Sequence, residues 1–566
     1  MKASLFPVDL AAAAPGSRLR VAWRRASPYV LFTVAWGLLN AIVNARYPGH
    51  EAGWWFLVPS VDIVAVLAGY AALARYRRSV PAWLHIALVA LLVFVRVFRV
   101  ADGIEVRYLF RSFNLYTDAQ LALELPRLLH STLSTGRFLL ALAGIAALLA
   151  GTAVAASLAL RYCERFLHER RHVGFFGLMV GFFALLSPFN RWVKQPDQFY
   201  GAFAASVLPR LGREADFILH VDDYRSAQLA EIQRVRDELS SVPGDLGKLL
   251  GKDVLLFVIE SYGVTVRSQP ALVSQLAPTY ELFEKSLSRH GFAVASSLLD
   301  SPTYGGSSWL AHATLATGVR TADQFQYSLL KKASPLTLAG FFKDAGYRTV
   351  LVQPATTRPT PGDTYQRFEH AYLYAAFDYK GPRFSYAPMP DQYIVDFIDR
   401  RERRRSGQPR FIEYALVSSH IPWTEHAPLI DDWAQIGDGS IYARREKIRL
   451  SGAWDNFADT VAAYGHSIAY DLEVLCRYIV ERIADESLIL IVGDHQPAAQ
   501  VTLGSPDHGV PIHVISRNRA FVEPFVARGY TQGMRPDPAR PRCEMAAFLP
   551  GFLRDFSDAR TRRPTP

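Results

Sequence analysis

Cysteine is scarce in this chain of 566 residues. Three cysteines are too few for a disulfide framework or for a zinc site built from cysteines. Low-complexity runs are also few, and no internal repeat is evident. Because 50% of the residues are hydrophobic and 12% are aromatic, the composition excludes a disordered chain and indicates a packed one. The cysteines are Cys163, Cys476 and Cys543.

Charged residues make up only 20% of the chain. The hydrophobic share of 50% is high for a soluble enzyme and too low for a transporter that lies wholly in a membrane. The composition therefore predicts a hybrid of several membrane helices and a sizeable water-soluble domain. At about 150 residues per domain, the length also indicates more than one structural unit.

The first part of the chain contains five apolar segments, which contain no Lys, Arg or Glu, one Asp (Asp62 in the second) and one His (His85 in the third). Each segment approaches or reaches the roughly 20 residues that cross a bilayer core. We therefore predict a five-span membrane domain over residues 1–190; the alternative is a set of buried helices in a large soluble domain. The segments are residues 26–45, 54–74, 79–95, 138–160 and 173–190.

Basic residues indicate which side of the membrane each loop faces. They are concentrated in the N-terminal tail, in residues 75–78 and in residues 161–171, whereas residues 47–53 have none. With five spans these three clusters share one side, which the positive-inside rule assigns to the cytoplasm. Everything after about residue 190 is then extracytoplasmic. The net charge of +10 mostly anchors this topology, and no nucleic-acid partner is predicted.

A connector over residues 191–250, with a predicted helix at 227–239, leads to a domain of different pattern over residues 251–566. There, short apolar runs alternate with helical stretches such as 336–345 and 454–482. Strands alternating with helices predict an α/β domain with a largely parallel sheet covered on both faces. The predicted strands are residues 254–259, 349–352, 411–417, 488–492 and 512–515.

Reactive side chains follow three of these predicted strands directly. Glu260 ends the first, His420 follows the third, and Asp494 with His495 follows the fourth. In such sheets ligands bind beyond the carboxyl ends of the strands, and this set of oxygen and nitrogen donors suits zinc or manganese. Taken singly, each residue also has an ordinary interpretation, as a helix cap or a hydrogen-bonded loop residue.

Two serines in the stretch SPTYGGSSWLAHATLATG, Ser307 and Ser308, precede a predicted helix and follow two glycines. A hydroxyl at a helix N-terminus near a dication is a candidate nucleophile. The alternative is that both serines only cap the helix, since serine is a preferred N-cap residue.

These motifs together resemble those of the membrane-anchored sulfatase-fold transferases of the alkaline phosphatase superfamily, such as lipoteichoic-acid synthases and lipid A phosphoethanolamine transferases. The strand-end motif VIES contains Glu260, and GDH contains Asp494 and His495. Aligned on Thr317-Gly318, the sulfatase nucleophile falls on Ser308. SHIP and HGVP are similar to two further motifs of the phosphoethanolamine transferases.

The resemblance implies a site in which Ser308 is the nucleophile and also a metal ligand, with Glu260, Asp494 and His495 completing the set around zinc or manganese. Leu310 and His312 stand where sulfatases carry the Pro and Arg read by formylglycine maturation, so Ser308 is expected to stay unmodified. Residues expected to bind the substrate phosphate are His420, His508, His312 and Arg358.

The expected function is transfer of a phosphoethanolamine or phosphoglycerol head group from a phospholipid donor, through a phosphoserine, to an envelope glycan or lipid. The alternatives are a membrane-tethered sulfatase or phosphodiesterase and a non-catalytic lipid-binding protein. The expected location is the bacterial cytoplasmic (inner) membrane, with the sulfatase-like domain in the periplasm or outside the cell. Only Cys476 and Cys543 lie on that side, and no bridge between them is predicted.

The predicted topology is testable with a reporter that is active only outside the cytoplasm. Fused after residue 190 or at the C-terminus, it is expected to be active, because an odd number of spans carries both points across the membrane. Inserted in residues 76–80 or 163–172, it is expected to be inactive. Activity at either of these loops would reverse the orientation.

Overall fold

The chain folds into two compact units. One comprises Met1–Val106 and Ser112–Leu219, and the other comprises Arg107–Arg111 and His220–Pro566. The computed structural model describes residues 15–44, 58–109, 111–122, 135–187, 199–200, 202–357, 363–403, 407–450 and 457–558.

The first unit is helical, with a two-stranded antiparallel ribbon of β1 and β2. Its described helices are α1 (Pro15–Asn44), α2 (Val61–Arg75), α3 (Ala82–Leu109), α4 (Leu115–Ala122), α5 (Thr135–Leu167), α6 (Arg170–Leu186) and α7 (Leu208–Leu219). The ribbon strands are β1 (Phe199–Tyr200) and β2 (Phe203–Ala204).

Within the described residues, three helical segments are long and apolar enough to cross a membrane: Ala26–Asn44, Ala82–Val106 and Thr135–Leu167. The helices α2 and α6 have 15 and 17 residues, which is short of the roughly 20 that a span takes. The prediction of five spans is therefore not confirmed. The ends of its second and fifth segments, residues 54–57 and 188–190, lie outside the described residues.

Aromatic stacking and one half-buried acid organise this unit. Phe166 of α5 stacks on Phe32 of α1 and on His172 of α6, with ring centroids 4.3 and 4.0 Å apart. Asp62 of α2 accepts hydrogen bonds from the Ser206 hydroxyl (2.5 Å) and the Val207 N–H (2.8 Å), which satisfies a donor at the start of α7.

The second unit is built on a nine-stranded sheet in the order β12-β4-β11-β10-β3-β7-β5-β6, with β13 also paired to β4. A separate antiparallel pair is formed by β8 and β9. The strands are β3 (Val254–Ile259), β4 (Ala293–Asp300), β5 (Arg348–Gln353), β6 (His370–Leu373), β7 (Arg410–Leu416), β8 (Glu425–His426), β9 (Ile448–Arg449), β10 (Leu488–Gly493), β11 (Gly509–Ser516), β12 (Thr531–Gln532) and β13 (Cys543–Glu544).

Helices accompany this sheet along the second unit. They are α8 (Val221–Ser241), α9 (Thr265–Ser268), α10 (Pro270–Arg289), α11 (Ser308–Thr317), α12 (Gln324–Lys332), α13 (Leu338–Asp344), α14 (Asp391–Ile398), α15 (Phe457–Arg482), α16 (Ala499–Thr502), α17 (Glu523–Ala527) and α18 (Phe548–Phe556).

Alternation along the central strands fills two cores, one on each face of the sheet. In β3, Leu255, Phe257 and Ile259 belong to one buried cluster. Val254, Leu256 and Val258 belong to the other. A strand covered on both faces reads as a continuous apolar run, which is why β3 was recognisable in the sequence. The predicted largely parallel sheet is in fact mixed, because the pairs β10–β11, β11–β4 and β4–β12 are antiparallel.

The register of the parallel strands brings their carboxyl ends level. Ile259 at the end of β3 pairs with Gly493 of β10 on one side and with Leu416 of β7 on the other. The next residues along β3 and β10, Glu260 and Asp494, therefore emerge side by side. Only glycine fits at 493, because a Cβ there would lie 1.9 Å from the carbonyl oxygen of Tyr262.

Candidate active site

Three buried side chains at this sheet edge form a compact cluster of potential metal ligands. Atoms from Glu260, Asp494 and His495 all lie within 4.8 Å of one another. His495 Nε2 is 3.2 Å from Glu260 Oε1 and 3.6 Å from Asp494 Oδ2. Each residue is at most 8% exposed, so the cluster is shielded from bulk water.

The backbone orients these groups. Asp494 Oδ1 accepts hydrogen bonds from the Ser261 N–H at 2.7 Å and the His495 N–H at 2.6 Å. His495 Nδ1 lies 2.7 Å from the carbonyl oxygen of Gln496, to which it must donate because that oxygen only accepts. The Nε2 atom of His495 is thereby directed at the cluster, the arrangement that metal-binding histidines require.

The candidate nucleophile joins the cluster directly. Ser308 is the first residue of α11, and its hydroxyl donates to Glu260 Oε2 at 2.9 Å and lies 3.2 Å from His495 Nε2. Ser307 precedes it in the left-handed region (φ 63°) and makes no side-chain cap hydrogen bond. Gly305 and Gly306 also have positive φ and form the turn that presents Ser308. Capping thus does not account for Ser308, whose hydroxyl is directed at the buried ligands.

Charge and burial shift the pKa values of all three groups. Burial alone opposes ionisation of Glu260, but the imidazoles of His420 and His495 hold its pKa below the ordinary value. Burial, followed by the charge of Glu260, raises the pKa of Asp494 to about 7. Burial would lower the pKa of His495, but the carboxylates of Asp494 and Glu260 raise it to about 9. The cluster therefore retains protons that a dication would replace.

The donor set fits a divalent metal. Two carboxylates, one imidazole nitrogen and one hydroxyl supply the oxygen and nitrogen atoms that zinc and manganese accept. Two carboxylates buried this close together also need a compensating positive charge. Together with Ser308, the residues that would hold the ion are Glu260, Asp494 and His495.

His420 reaches the same edge of the sheet from β7. Its loop is tied to the cluster because the Ser419 hydroxyl donates to the Glu260 carbonyl oxygen at 2.6 Å. His420 Nδ1 donates to the Ile421 carbonyl oxygen at 2.5 Å, which leaves Nε2 for a ligand. Tyr386 stacks on the imidazole with ring centroids 3.6 Å apart. No sequence pattern pointed to Tyr386, which lies in a loop far from any motif.

His508 directly precedes β11, which neighbours β10, whereas His420 follows β7, which neighbours β3. His508 Nδ1 donates to the carbonyl oxygen of Ser301 at 3.1 Å, and its own carbonyl oxygen accepts from the Ser301 N–H at 3.0 Å. The Ser301 hydroxyl in turn donates to the Asp494 carbonyl oxygen at 2.5 Å. His508 is thus linked through one residue to the metal-ligand cluster.

His312 lies one helical turn after Ser308 on α11 and is buried against β7. Its Nδ1 is 3.0 Å from Glu413 Oε1, and Glu413 is 2% exposed. Burial would lower the pKa of His312, but the hydrogen bond and charge of Glu413 raise it. Sequence reasoning missed Glu413, although a charged residue inside the apolar strand FIEYAL is a signal for a buried partner.

The remaining predictions concern Arg358 and the cysteines. Arg358 lies outside the described residues. All three cysteines are free, with Cys163 and Cys476 buried and Cys543 exposed.

Proton release on metal binding tests the cluster. Because the metal-free pKa values of Asp494 and His495 are raised to about 7 and about 9, zinc binding near neutral pH must displace protons. We expect release of roughly one to two protons per zinc ion and an apparent affinity that increases from pH 6 to pH 9. Calorimetry in buffers of different ionisation enthalpy measures both quantities.

His508→Ala is the matched control, since it removes a histidine outside the cluster and is expected to leave zinc affinity and proton release unchanged. Tight zinc binding without proton release, or with an affinity independent of pH, would contradict the ligand assignment.

Part of the chain matches a known protein family. Residues 296–521 match the model of the Sulfatase family. This span contains Ser308, His420, Asp494 and His508, whereas Glu260 precedes it. No curated protein sequence matches the chain.

Several solved structures are similar to the chain. One is an integral membrane protein, lipooligosaccharide phosphoethanolamine transferase A from Neisseria meningitidis. The alignment covers 93% of this chain and 95% of that protein, at 12% identity and TM-score 0.44. A Streptococcus pyogenes phosphoglycerol transferase, in complex with sn-glycerol-1-phosphate, covers 59% and 82% at 12% identity and TM-score 0.36. The lipoteichoic acid synthase LtaP from Listeria monocytogenes covers 58% and 79% at 14% identity and TM-score 0.35. The family match over residues 296–521 includes the motifs around Ser308 and Asp494.

Proposed function

We propose that the protein is a metal-dependent phosphotransferase that moves a phospholipid head group to an acceptor in the cell envelope. The observation that carries this proposal is the position of Ser308. Its hydroxyl contacts both Glu260 and His495 at the N-terminus of α11, beside a buried cluster suited to a dication. A hydroxyl in this setting is a nucleophile with an adjacent base and a positive helix end for the incoming phosphate.

In this proposal Glu260, Asp494, His495 and Ser308 hold one zinc or manganese ion. When bound, the ion supplies Lewis-acid polarisation of the phosphoryl group and a lower pKa for a hydroxyl next to it. The protein residues fix the direction of Ser308 Oγ and exclude bulk water from the ligands.

The reaction then proceeds in two displacements. Ser308 Oγ bonds to the phosphorus of the lipid phosphodiester, while the bond from phosphorus to the lipid alcohol breaks. The hydroxyl proton leaves along the 2.9 Å contact with Glu260 Oε2, and the lipid alcohol takes a proton from solvent. A hydroxyl of a glycan or lipid acceptor next attacks the phosphorus, and the bond from phosphorus to Ser308 Oγ breaks. Oγ takes its proton back from Glu260, and the proton of the acceptor hydroxyl passes to solvent.

Charge on the phosphoryl oxygens needs donors outside the metal cluster. We assign this task to His420, His508 and His312, each of which engages Nδ1 with a protein oxygen and keeps Nε2 for another ligand. Arg358 is assigned the same task from its sequence match alone. The similar proteins transfer phosphoethanolamine or phosphoglycerol, and these are the two head groups to test first.

Membrane helices suit a lipid donor. Three candidate spans in the first unit would keep the sulfatase-family domain at a bilayer surface, where lipid head groups emerge. We propose that this surface is the outer face of the bacterial cytoplasmic membrane, with residues 1–190 as the membrane domain, 191–250 as the connector and 251–566 as the catalytic domain.

Hydrolysis is the second candidate function, because the matching family is the sulfatases. In a hydrolase, water rather than an envelope hydroxyl would accept the group from Ser308. Leu310 and His312 at the positions that formylglycine maturation reads favour an unmodified serine and hence phosphate chemistry.

Trapping the intermediate tests the transferase. Full-length protein incubated with phosphatidylethanolamine or phosphatidylglycerol is expected to gain the head-group phosphate on Ser308 and to release diacylglycerol in a stoichiometric burst. Mass spectrometry locates the adduct, and a rapid-quench lipid assay measures the burst.

Ser308→Ala is expected to abolish both signals, whereas the neighbouring control Ser307→Ala keeps them, because only Ser308 contacts Glu260 and His495. Full turnover by Ser308→Ala, or formylglycine at position 308, would refute the phosphoserine route. Release of the head group to water with no transfer to any added acceptor would favour the hydrolase instead.

A further inference from the structure

An arginine outside the family match bridges two acids next to the site. Arg542 donates from Nη1 and Nη2 to the two carboxylate oxygens of Asp507, at 2.7 and 3.1 Å. Its Nε is 3.2 Å from Asp300 Oδ1. The side chains of Arg542, Asp507 and Asp300 are each about 30% exposed, so this ion-pair group is half-buried. Two hydrogen bonds and one ion pair made by a single rigid guanidinium thus join two separate segments.

The two segments are those that hold His508. Asp507 directly precedes His508, and its Oδ1 also accepts from the Gly509 N–H at 2.8 Å. Asp300 directly precedes Ser301, whose carbonyl oxygen accepts from His508 Nδ1. Arg542 therefore bridges the residue before His508 and the residue before the hydrogen-bond partner of His508.

Gly509 gives independent support for this arrangement. A Cβ at this position would lie 2.1 Å from Arg542 Nη1 and 3.0 Å from Asp507 Oδ1. The glycine of the HGVP motif therefore leaves the space through which Arg542 reaches Asp507. A larger residue would displace the guanidinium.

Removal of Arg542 would leave two like charges facing each other. Burial and the charge of Asp507 raise the pKa of Asp300, and this shift is opposed by Arg542 and, to a smaller extent, by His508. Without the arginine, Asp300 and Asp507 repel, and the two segments have a reason to separate.

We propose that Arg542 is the positioning residue for His508, holding the imidazole in place by clamping Asp507 to Asp300. This inference rests on the proposed function for the assignment of His508 to the substrate phosphate. Arg542 itself is not assigned a contact with substrate.

A double-mutant cycle tests the coupling. The substrates are the 4-nitrophenyl diesters of phosphoethanolamine and phosphoglycerol, turned over by the full-length protein. His508→Ala is expected to lower kcat by about 10²–10³-fold, the effect of one lost charge-stabilising donor. Arg542→Ala is expected to lower kcat by roughly tenfold or more, and Arg542→Lys to recover part of this loss, because lysine keeps the charge but lacks the bidentate fork. In the His508→Ala background, Arg542→Ala is expected to change kcat less than twofold.

Arg540→Ala is the matched control. Arg540 lies two residues away and is exposed, and its side chain hydrogen-bonds to the Gly529 carbonyl oxygen and pairs with Asp537. It is expected to keep wild-type kcat and KM. Multiplicative effects of Arg542→Ala and His508→Ala, or wild-type kcat in Arg542→Ala, would overturn the inference.

A measurement without turnover separates this inference from the proposed function. In protein labelled with ¹⁵N-histidine, the His508 Nδ1–H signal, assigned by its loss in His508→Ala, is expected to shift or broaden in Arg542→Ala and to persist in Arg540→Ala. An unchanged signal in Arg542→Ala would refute the positioning role, whatever the activity. If the wild-type protein transfers no head group but Arg542→Ala still shifts the His508 signal, the proposed function is refuted and the positioning role of Arg542 is supported.

Discussion

Two buried carboxylates held side by side are the constraint around which the second unit is organised. Glu260 and Asp494 end neighbouring parallel strands whose register makes them adjacent. Burying two like charges costs several kcal/mol per ion unless opposite charge and hydrogen bonds compensate. His495 and two backbone N–H groups provide part of that compensation. A bound dication would provide the rest, and it would also lower the pKa of the neighbouring Ser308 hydroxyl.

The surrounding structure repeats one arrangement for its histidines. In His420, His495 and His508, Nδ1 donates a hydrogen bond to a backbone carbonyl oxygen, which fixes the orientation of each ring. His312 is held in the same way by the Glu413 carboxylate. Rings fixed in this manner are preorganised, which lets Nε2 act on a ligand without first losing rotational freedom. Hydrogen bonds therefore hold the imidazoles in place, and Ser308 is partly exposed.

Much of this arrangement could be predicted from the sequence because it follows from burial on both faces of a sheet. The run VLLFVI has no polar residue to satisfy, and the structure gives it the predicted bounds, Val254–Ile259. In contrast, β4 went unrecognised because its sequence, AVASSLLD, contains serines. Ser296 becomes acceptable in the interior through hydrogen bonds between its hydroxyl and two groups far along the chain, the Gly533 carbonyl oxygen and His513 Nδ1.

Features that depend on how distant segments pair could not be predicted from the sequence. The residues of a strand do not indicate its direction, so the sequence predicts a largely parallel sheet without indicating that β11 is antiparallel to β10. Arg542 is more than two hundred residues from Asp300 and belongs to no motif, so only the fold brings them together. Ligands that directly follow apolar strands were recognisable, whereas the residues that orient those ligands were not.

The most direct test of the central claim is an anomalous diffraction map of the full-length protein crystallised with zinc. The account predicts its strongest peak between Glu260, Asp494, His495 and Ser308 Oγ, with metal–ligand distances of about 2.0–2.2 Å. Zinc bound elsewhere, with these four side chains not ligating it, would contradict the account.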